Sequence, residues 1–595
     1  MPGLVGFARD MGSLARAKRT LLRMQDLITY EASYVRDDLF IDPFVCATRS
    51  HTNIIQRRPQ PHRRHGVCIW LDGEFCNRQE LASRCEAATD DDLEILHTLF
   101  RGSRDFSFLR TIDGFFSAVV YDTNTGKLHL ITDRYGLRRL YWTVHRGLLW
   151  WSSELKPALA LPGFEPRIDR RAIQEFLSIG CLLEDRTWFE GVELLPSATV
   201  LTWDTRDGGF CTVRYWWWDQ IRPCTGRIDE VEVAEELGRL FVDAVERRCP
   251  RGERVGLTLS GGLDSRAILA AMPDHGYPVH AVTFGRPGCD DIRIAAVAAK
   301  LRGAAHHVVE IGPGNWLTPR ITGVWWTDGE QDLMHMHAMA ARDVIRAAFD
   351  INLNGFAGDL IVGGSHLLAR PRCEHPKQQV AAFMGCEPGL IESFEAYSHL
   401  RTLDFFFLQN RVRRFTYCGT RNLLTSTEQR KPFYDTRLVD FVYSLPDRVR
   451  MHGRIYKRML LSAFPEYYRH IPWQRVGACI GAPRPVVKAL HALERARRLA
   501  FPLGRRLGVP ITPPHPRGMV NYPAWIRAEP AHSFFDSVLN DPDALYRAYL
   551  PSERVRDAWE KHLGGEDFSS FLCRHLTFEI WLHQVFTGKF RPPGV

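Results

Sequence analysis

Residues 255–272 read VGLTLSGGLDSRAILAAM: an apolar strand, a glycine turn and a helix in immediate succession. A strand that passes straight into a helix is half of a crossover unit, and crossovers build parallel sheets covered on both faces. The alternation continues in VHAVTFG (279–285) with a helix from about Asp291, in AAHHVVEI (304–311), and in FDINLNGFAGDLIVGG (349–364) with a second glycine-rich turn. An α/β domain is therefore predicted here. Its turn, Leu259-Ser260-Gly261-Gly262-Leu263-Asp264-Ser265, suits phosphate. Glycines admit close approach, the helix start supplies free N–H groups, and Ser260 and Ser265 add hydroxyls. The Gly-Lys-Ser/Thr ending of a Walker loop is absent. Asp264 would repel phosphate on its own and makes sense if it holds a divalent cation that bridges carboxylate and phosphate oxygens.

The stretch before this domain reads differently. VCIWLDGEF (67–75) breaks at Asp72-Gly73, which predicts a hairpin turn, and SAVVYDTNTGKLHLITD (117–133) predicts a second hairpin about Asn124-Thr125-Gly126. LLWWSSELKPAL (148–159) reads as a strand entering a helix capped by Ser152 or Ser153. An α+β domain dominated by antiparallel sheet is expected over 1–215. The aromatic, Pro/Gly-bearing run 214–230 marks a boundary, and EVEVAEELGRLFVDAVERRC (230–249) places Val233, Leu237, Leu240, Phe241 and Val245 on one helical stripe. The second domain is expected over 229–480 and a helical region over 481–595, where 484–518 holds a basic amphipathic helix and a proline-rich connection.

The 595 residues suit two to four domains, with 45% apolar and 25% charged residues. The net charge of +8 is mild for this length and does not predict a nucleic-acid partner. Fourteen scattered cysteines form no CxxC and no zinc spacing. No secretory signal or stretch of roughly 20 apolar residues is present, so a cytoplasmic protein with reduced thiols and no membrane span is expected.

The Ser260–Ser265 loop resembles the PP-loop of ATP pyrophosphatases, which split ATP between its α and β phosphates. Asn354-Gly355-Phe356-Ala357-Gly358-Asp359-Leu360-Ile361-Val362-Gly363-Gly364 resembles the Gly-x-Gly-x-Asp-Glu-x-x-x-Gly-Gly block of asparagine synthetases, with Leu360 in place of its Glu. Further matches are Asp92-Leu93-Glu94, Asp113–Ala118, Asp133–Trp142, Ser153-Glu154-Leu155-Lys156 and Glu428–Asp435. The chain is identified as asparagine synthetase-like. The resemblance implies an Ntn-hydrolase-like antiparallel sandwich followed by a PP-loop α/β domain with a helical extension. It also implies an ATP-dependent carbon–nitrogen ligase that releases AMP and pyrophosphate. Leu259, Ser260, Gly261, Gly262, Asp264, Ser265, Thr283, Gly355 and Gly358 would bind ATP, and Asp264 and Asp359 would hold Mg²⁺. The family's basic catalytic residue maps to Lys457 or Arg475.

Glutamine-using members carry a Cys after the initiator Met, whose thiol attacks glutamine with the free amine as base. That position is Pro2, which has no thiol, while Gly3-Leu4-Val5-Gly6 keeps the family register. The oxyanion segment Asn-Gly-Glu reads Asp72-Gly73-Glu74, and an ionised Asp cannot donate to an oxyanion. Cys46, Cys68 and Cys76 read as packing residues. No glutaminase activity is expected, so the amine would come with the substrate.

Two branches of the family work this way: β-lactam synthetases and lasso peptide macrolactam synthetases. Phe356 stands where β-lactam synthetases have a Tyr and asparagine synthetases a Glu, offering an apolar wall or simple packing. Asp404–Phe415, Ile471–Gly477 and Leu576–Leu582 resemble lasso cyclases, with Arg411 and Arg414 either lining a peptide cavity or pairing with interior acids. The expectation is closure of a peptide Asp or Glu side chain onto the peptide's N-terminal amine. The implied partners are a precursor peptide, a leader peptidase and a leader-binding protein. The alternatives are an ammonia-dependent asparagine synthetase and an inactive nucleotide-binding scaffold.

Overall fold

The computed structural model describes residues 2–8, 12–85, 89–103, 105–367, 375–506 and 517–592. The first half is an antiparallel sandwich. One sheet runs Glu193–Leu194, Tyr141–His145, Leu148–Ser152, Gly3–Ala8, Val45–His51, Val35–Arg36, with Phe40–Ile41 also on Val45–His51. The other runs Phe210–Arg214, Thr199–Asp204, Lys127–Thr132, Gly114–Asp122, Val67–Phe75, His62–Arg64. Leu4, Val45 and Ala47 of the first sheet meet Trp70, Val119 and Leu130 of the second in one apolar layer. The outer face of the second sheet is covered in turn by Leu81, Leu93 and Leu96, so Val67–Phe75 is buried along nearly its whole length.

The expected hairpin at Asn124-Thr125-Gly126 joins two paired strands. The one at Asp72-Gly73 does not exist, because Val67–Phe75 runs through it as one strand paired to Gly114–Asp122. Gly73 is needed there for close approach: its φ is +113°, and a Cβ would lie 2.0 Å from the Phe115 carbonyl oxygen. The expected helix cap at Ser152 or Ser153 is also corrected. The Ser153 hydroxyl accepts from the Leu4 N–H at 2.9 Å, and the buried Glu154 pairs with Lys156.

In the second half, five parallel strands are β1 (Val255–Thr258), β2 (His280–Gly285), β3 (Ala305–Glu310), β4 (Ile351–Leu353) and β5 (Glu428–Arg430), in the order β3-β2-β1-β4-β5. Helix α1 (Glu230–Arg247) is capped by the Asp229 carboxylate accepting from the Val231 N–H, and it buries Leu237, Leu240, Phe241 and Val245 as its spacing predicts. Helices α2 (Leu263–Ala271) and α3 (Asp290–Arg302) follow β1 and β2. The strand order reverses between β1 and β4, and the crevice beyond the carboxyl ends of such strands is where α/β sheets receive ligands.

The two halves are joined by buried charge. Arg139 and Arg414 both pair with Glu330, and the Tyr141 hydroxyl donates to the same carboxylate at 3.1 Å. Arg430 holds Glu74 through two bonds of 2.7 Å, and Arg248 bridges Asp113 and Asp435, each at 2.8 Å. Lys156 reaches Asp328 at 2.8 Å, beside Arg421 at 2.9 Å. The C-terminal region is helical: α4 (Arg454–Ala463), α5 (Arg484–Arg506) and α6 (Ser569–Phe586) are its main elements here, and α6 is buried in one cluster with Trp188, Trp316 and Trp325. The proline-rich connection expected after α5 falls largely on 507–516, outside the described residues. Among the described residues no helix is long and apolar enough to cross a membrane.

Candidate active site

β1 and β4 are neighbours, so the loops that leave their carboxyl ends meet. This brings Asp264 and Asp359 together from positions far apart in sequence: the Asp359 N–H donates to the Asp264 carboxylate at 3.0 Å. The contact depends on small residues. A Cβ on Gly358 would lie 2.7 Å from Asp264 Cγ, and one on Gly355 3.0 Å from the Ser265 nitrogen. Burial, and then the Asp359 charge, push the Asp264 carboxyl up to about 7. Two acidic residues brought together in this way, the Asp264 carboxyl disfavoured in its charged form, fit a divalent metal whose remaining ligands would be phosphate oxygens and water. No cluster of three or more His, Cys, Asp or Glu suited to a metal occurs among the described residues, so the protein would supply these two.

The loop holds its own shape. The Ser265 hydroxyl accepts from the Ser260 N–H at 3.0 Å and sits 3.0 Å from the Ser260 hydroxyl, which accepts from the Gly262 N–H at 3.1 Å. Asp291, at the start of α3, accepts from the Gly261 N–H at 2.9 Å. Arg266 donates to the Gly262 carbonyl at 2.8 Å and to the Tyr467 carbonyl at 3.2 Å, tying the loop to the chain beyond α4. Leu259 is buried, and its carbonyl accepts from the Thr283 hydroxyl at 2.8 Å, so Thr283 sets the height of the loop on the sheet.

Lys457 and Arg475 come to one place. Their charged ends each lie 5.9 Å from the Trp473 ring, and Lys457 Nζ donates to the His452 carbonyl at 3.0 Å. Half-burial and the Arg475 charge lower the Lys457 pKa. The segment closes on the loop: Gln474 Cβ is 3.0 Å from where a Cβ on Gly261 would stand. Tyr456 was overlooked in the sequence although it neighbours Lys457; its hydroxyl donates to Asp264 at 2.6 Å. Asp291 was overlooked too. A short polar residue at the start of the helix after β2 was the available signal.

Two residues that the sequence leaves open between substrate contact and interior packing are buried. Phe356 is buried, between Tyr417 and Tyr434 at ring distances of 6.1 and 5.5 Å, and fills space. Arg414 is buried, its two terminal nitrogens engaged with Glu330 and the carbonyls of Glu184 and Arg186. Its neighbour Arg413 is likewise spent on Asp185 and the Leu195 carbonyl. Arg411 differs: it is half-buried, with its guanidinium over the Phe415 ring at 4.6 Å.

Beside Phe356 lies Lys431, a buried amine among Phe115, Tyr417 and Phe356 that donates to the Gln429 carbonyl at 3.0 Å. Burial pushes its pKa down from 10.5 to about 7. Below about 7 the folded chain must charge this amine in an apolar cage, while the unfolded chain charges it freely in water up to 10.5. The destabilisation is therefore complete below 7 and fades as pH rises toward 10.5. Lys431→Met is expected to raise stability by about 3 kcal/mol at pH 6, the loss of the Gln429 bond offsetting part of the relief, and to change little near pH 10. Denaturant melts at the two pH values check this; equal effects at both would mean the amine is not strained by its charge.

Where a glutaminase centre would stand, Pro2 is buried, and Asp72 lies 3.7 Å from Arg138, which also pairs with Glu428 on β5. Burial pushes the Cys46 and Cys76 thiols each up to about 12 and raises Cys68.

Residues 26–216 match the glutamine amidotransferase domain family, and residues 236–417 and 422–472 match the asparagine synthase family. The chain is thus of the class in which an amidotransferase-type sandwich precedes an ATP-dependent carbon–nitrogen ligase domain. In carrying both domains it resembles the asparagine synthetases. It is 22% identical over 461 residues to asparagine synthetase [glutamine-hydrolyzing] 2 of Bacillus subtilis, covering 68% of this chain and 61% of that protein. With asparagine synthetase [glutamine-hydrolyzing] 3 of the same organism it shares 23% identity, covering 78% and 84%. A third relative, the amidase chry2 of Gibberella zeae, is 25% identical over 54% of this chain and 50% of its own length.

Proposed function

We propose that this chain adenylates a peptide Asp or Glu side chain with ATP and closes it on the peptide's own N-terminal amine, forming a lasso-type macrolactam without hydrolysing glutamine. The meeting of Asp264 and Asp359 beside the Ser260–Ser265 loop, where the Asp359 N–H donates to the Asp264 carboxylate, carries this reading. These two residues would hold Mg²⁺, which when bound neutralises phosphate charge. The N–H groups at the start of α2 and the hydroxyls of Ser260 and Ser265 would cradle the pyrophosphate. The substrate carboxylate oxygen attacks the α phosphorus, and pyrophosphate departs past the positive charge of Lys457 and Arg475. The amine then attacks the acyl carbon, AMP leaves, and the amine's proton passes to solvent. Holding both ends of one peptide in the site supplies the amine at high effective concentration.

Three features support an amine that arrives with the substrate: Pro2 in place of a nucleophilic Cys, the Asp72 carboxylate in place of a donor amide, and nearby thiols held protonated by burial. The resemblance of Asp404–Phe415 to lasso cyclases, with Arg411 still partly exposed, supports the peptide substrate. A leader peptidase would trim the precursor and a leader-binding protein deliver it, in the cytoplasm. Incubated with ATP and the precursor peptide, the protein is expected to yield AMP, pyrophosphate and a peptide lighter by one water. ADP and phosphate would overturn the ligase reading. Glutamate released from glutamine would overturn the missing glutaminase, and asparagine formed from aspartate and ammonium would replace the peptide by a small substrate.

A further inference from the structure

We propose that α5 is a membrane-surface helix that lies along an anionic lipid bilayer. Its 23 residues extend about 34 Å at 1.5 Å per residue. None of its described side chains is buried, and none enters a hydrophobic cluster of the body. Val486 is 47% exposed and Leu493 49%. At 100° per residue, Val486, Ala489, Leu490, Leu493, Ala496 and Ala500 share an arc of about 120°, while Lys488, His491 and Arg495 lie on the opposite side. The one intruder in the apolar arc, Arg497, turns toward Glu494 at 3.8 Å, and its long stem can itself lie on an apolar surface.

Charge decides the occupant. Residues 484–506 contain seven Lys or Arg and one acidic residue, so this helix supplies most of the +8 of the whole chain. The rest of the protein is close to balanced. A helix with this segregation buries its apolar arc at the level of the acyl boundary and sets its cations among anionic headgroups. The arc consists of small and aliphatic residues, which enter an acyl boundary with no polar group left to satisfy. That favours lipid over an acidic protein.

The test is flotation of the full-length protein with phosphatidylcholine vesicles, with and without phosphatidylglycerol. Binding to the anionic vesicles is expected to exceed binding to the neutral ones by about tenfold and to weaken with salt. The double variant Leu490→Asp/Leu493→Asp, and separately Lys488→Glu/Arg495→Glu, should abolish it while ATP–pyrophosphate exchange is unchanged. Failure of the wild type to float with anionic vesicles, or flotation untouched by both double variants, would overturn the proposal. So would capture on immobilised polyglutamate without vesicle binding, which would point to an acidic protein partner.

Discussion

Asp264→Ala is expected to reduce ATP–pyrophosphate exchange by at least about a thousandfold, with the thermal midpoint unchanged within a few degrees. The carboxylate is the meeting point of the two glycine-rich turns: it accepts from the Tyr456 hydroxyl and from the Asp359 N–H. Removing it leaves those donors short of a partner, which costs about 1–3 kcal/mol. It also removes a carboxylate that burial and Asp359 disfavour in its charged form. The two effects oppose, so folding survives while the function of the site does not. Asp264→Asn separates charge from hydrogen bonding, because the amide oxygen can still accept from Tyr456. Loss of exchange in both variants assigns the role to charge. Substantial exchange in Asp264→Asn would remove this residue from the metal site.

The largest stability effect is expected from Glu330→Gln. Glu330 is 1% exposed, and burial would raise its pKa were it not for Arg139, Arg414 and Arg421, which together hold it below the usual carboxylate range. Replacing it with a neutral amide strands two buried guanidinium groups, and breaking a buried pair in this way costs about 3–5 kcal/mol. Because the folded carboxyl titrates below the unfolded one, its contribution is present above the unfolded value and lost as pH falls through the folded one. The wild type should therefore approach the variant's stability in acid. Chemical denaturation at neutral and acidic pH measures both effects. A variant as stable as wild type at neutral pH would mean that Glu330 is not the counter-charge of these arginines.

The α/β half was readable because its strands are buried on both faces and appear as short apolar runs between glycine turns. β1, β2, β3 and β4, with the helices that follow β1 and β2, stand close to where the runs place them. Asp264 stands out because a carboxylate inside a glycine loop is out of place unless a cation answers it, whereas Asp359 is singled out only by the resemblance of Asn354–Gly364 to asparagine synthetases; the fold brings the two together. What periodicity could not reveal was direction and partner. Arg411, Arg413 and Arg414 look alike as a basic run, yet Arg413 is taken up by the Asp185 carboxylate and Arg414 by the Glu184 carbonyl, each more than two hundred residues away. Phe356 could have been wall or filler, and only the tertiary neighbours Tyr417 and Tyr434 decide it. Asp72-Gly73 has the composition of a turn, but pairing with Phe116 and Ser117 carries the strand through.

The charge at the seam between the halves bears on why such a chain keeps its first half. Arg413, Arg414 and Arg430 belong to the ligase half, but Asp185, the carbonyls of Glu184 and Arg186, and Glu74 belong to the sandwich. Cut from the sandwich, the ligase half would keep Glu330 for Arg414 and Glu253 for Arg430 but lose the other acceptors that fix these cations. Selection can therefore retain the amidotransferase-type domain as a scaffold, independently of any catalysis of its own. Deleting that domain would therefore remove part of the support of the ligase half, whatever stands at Pro2.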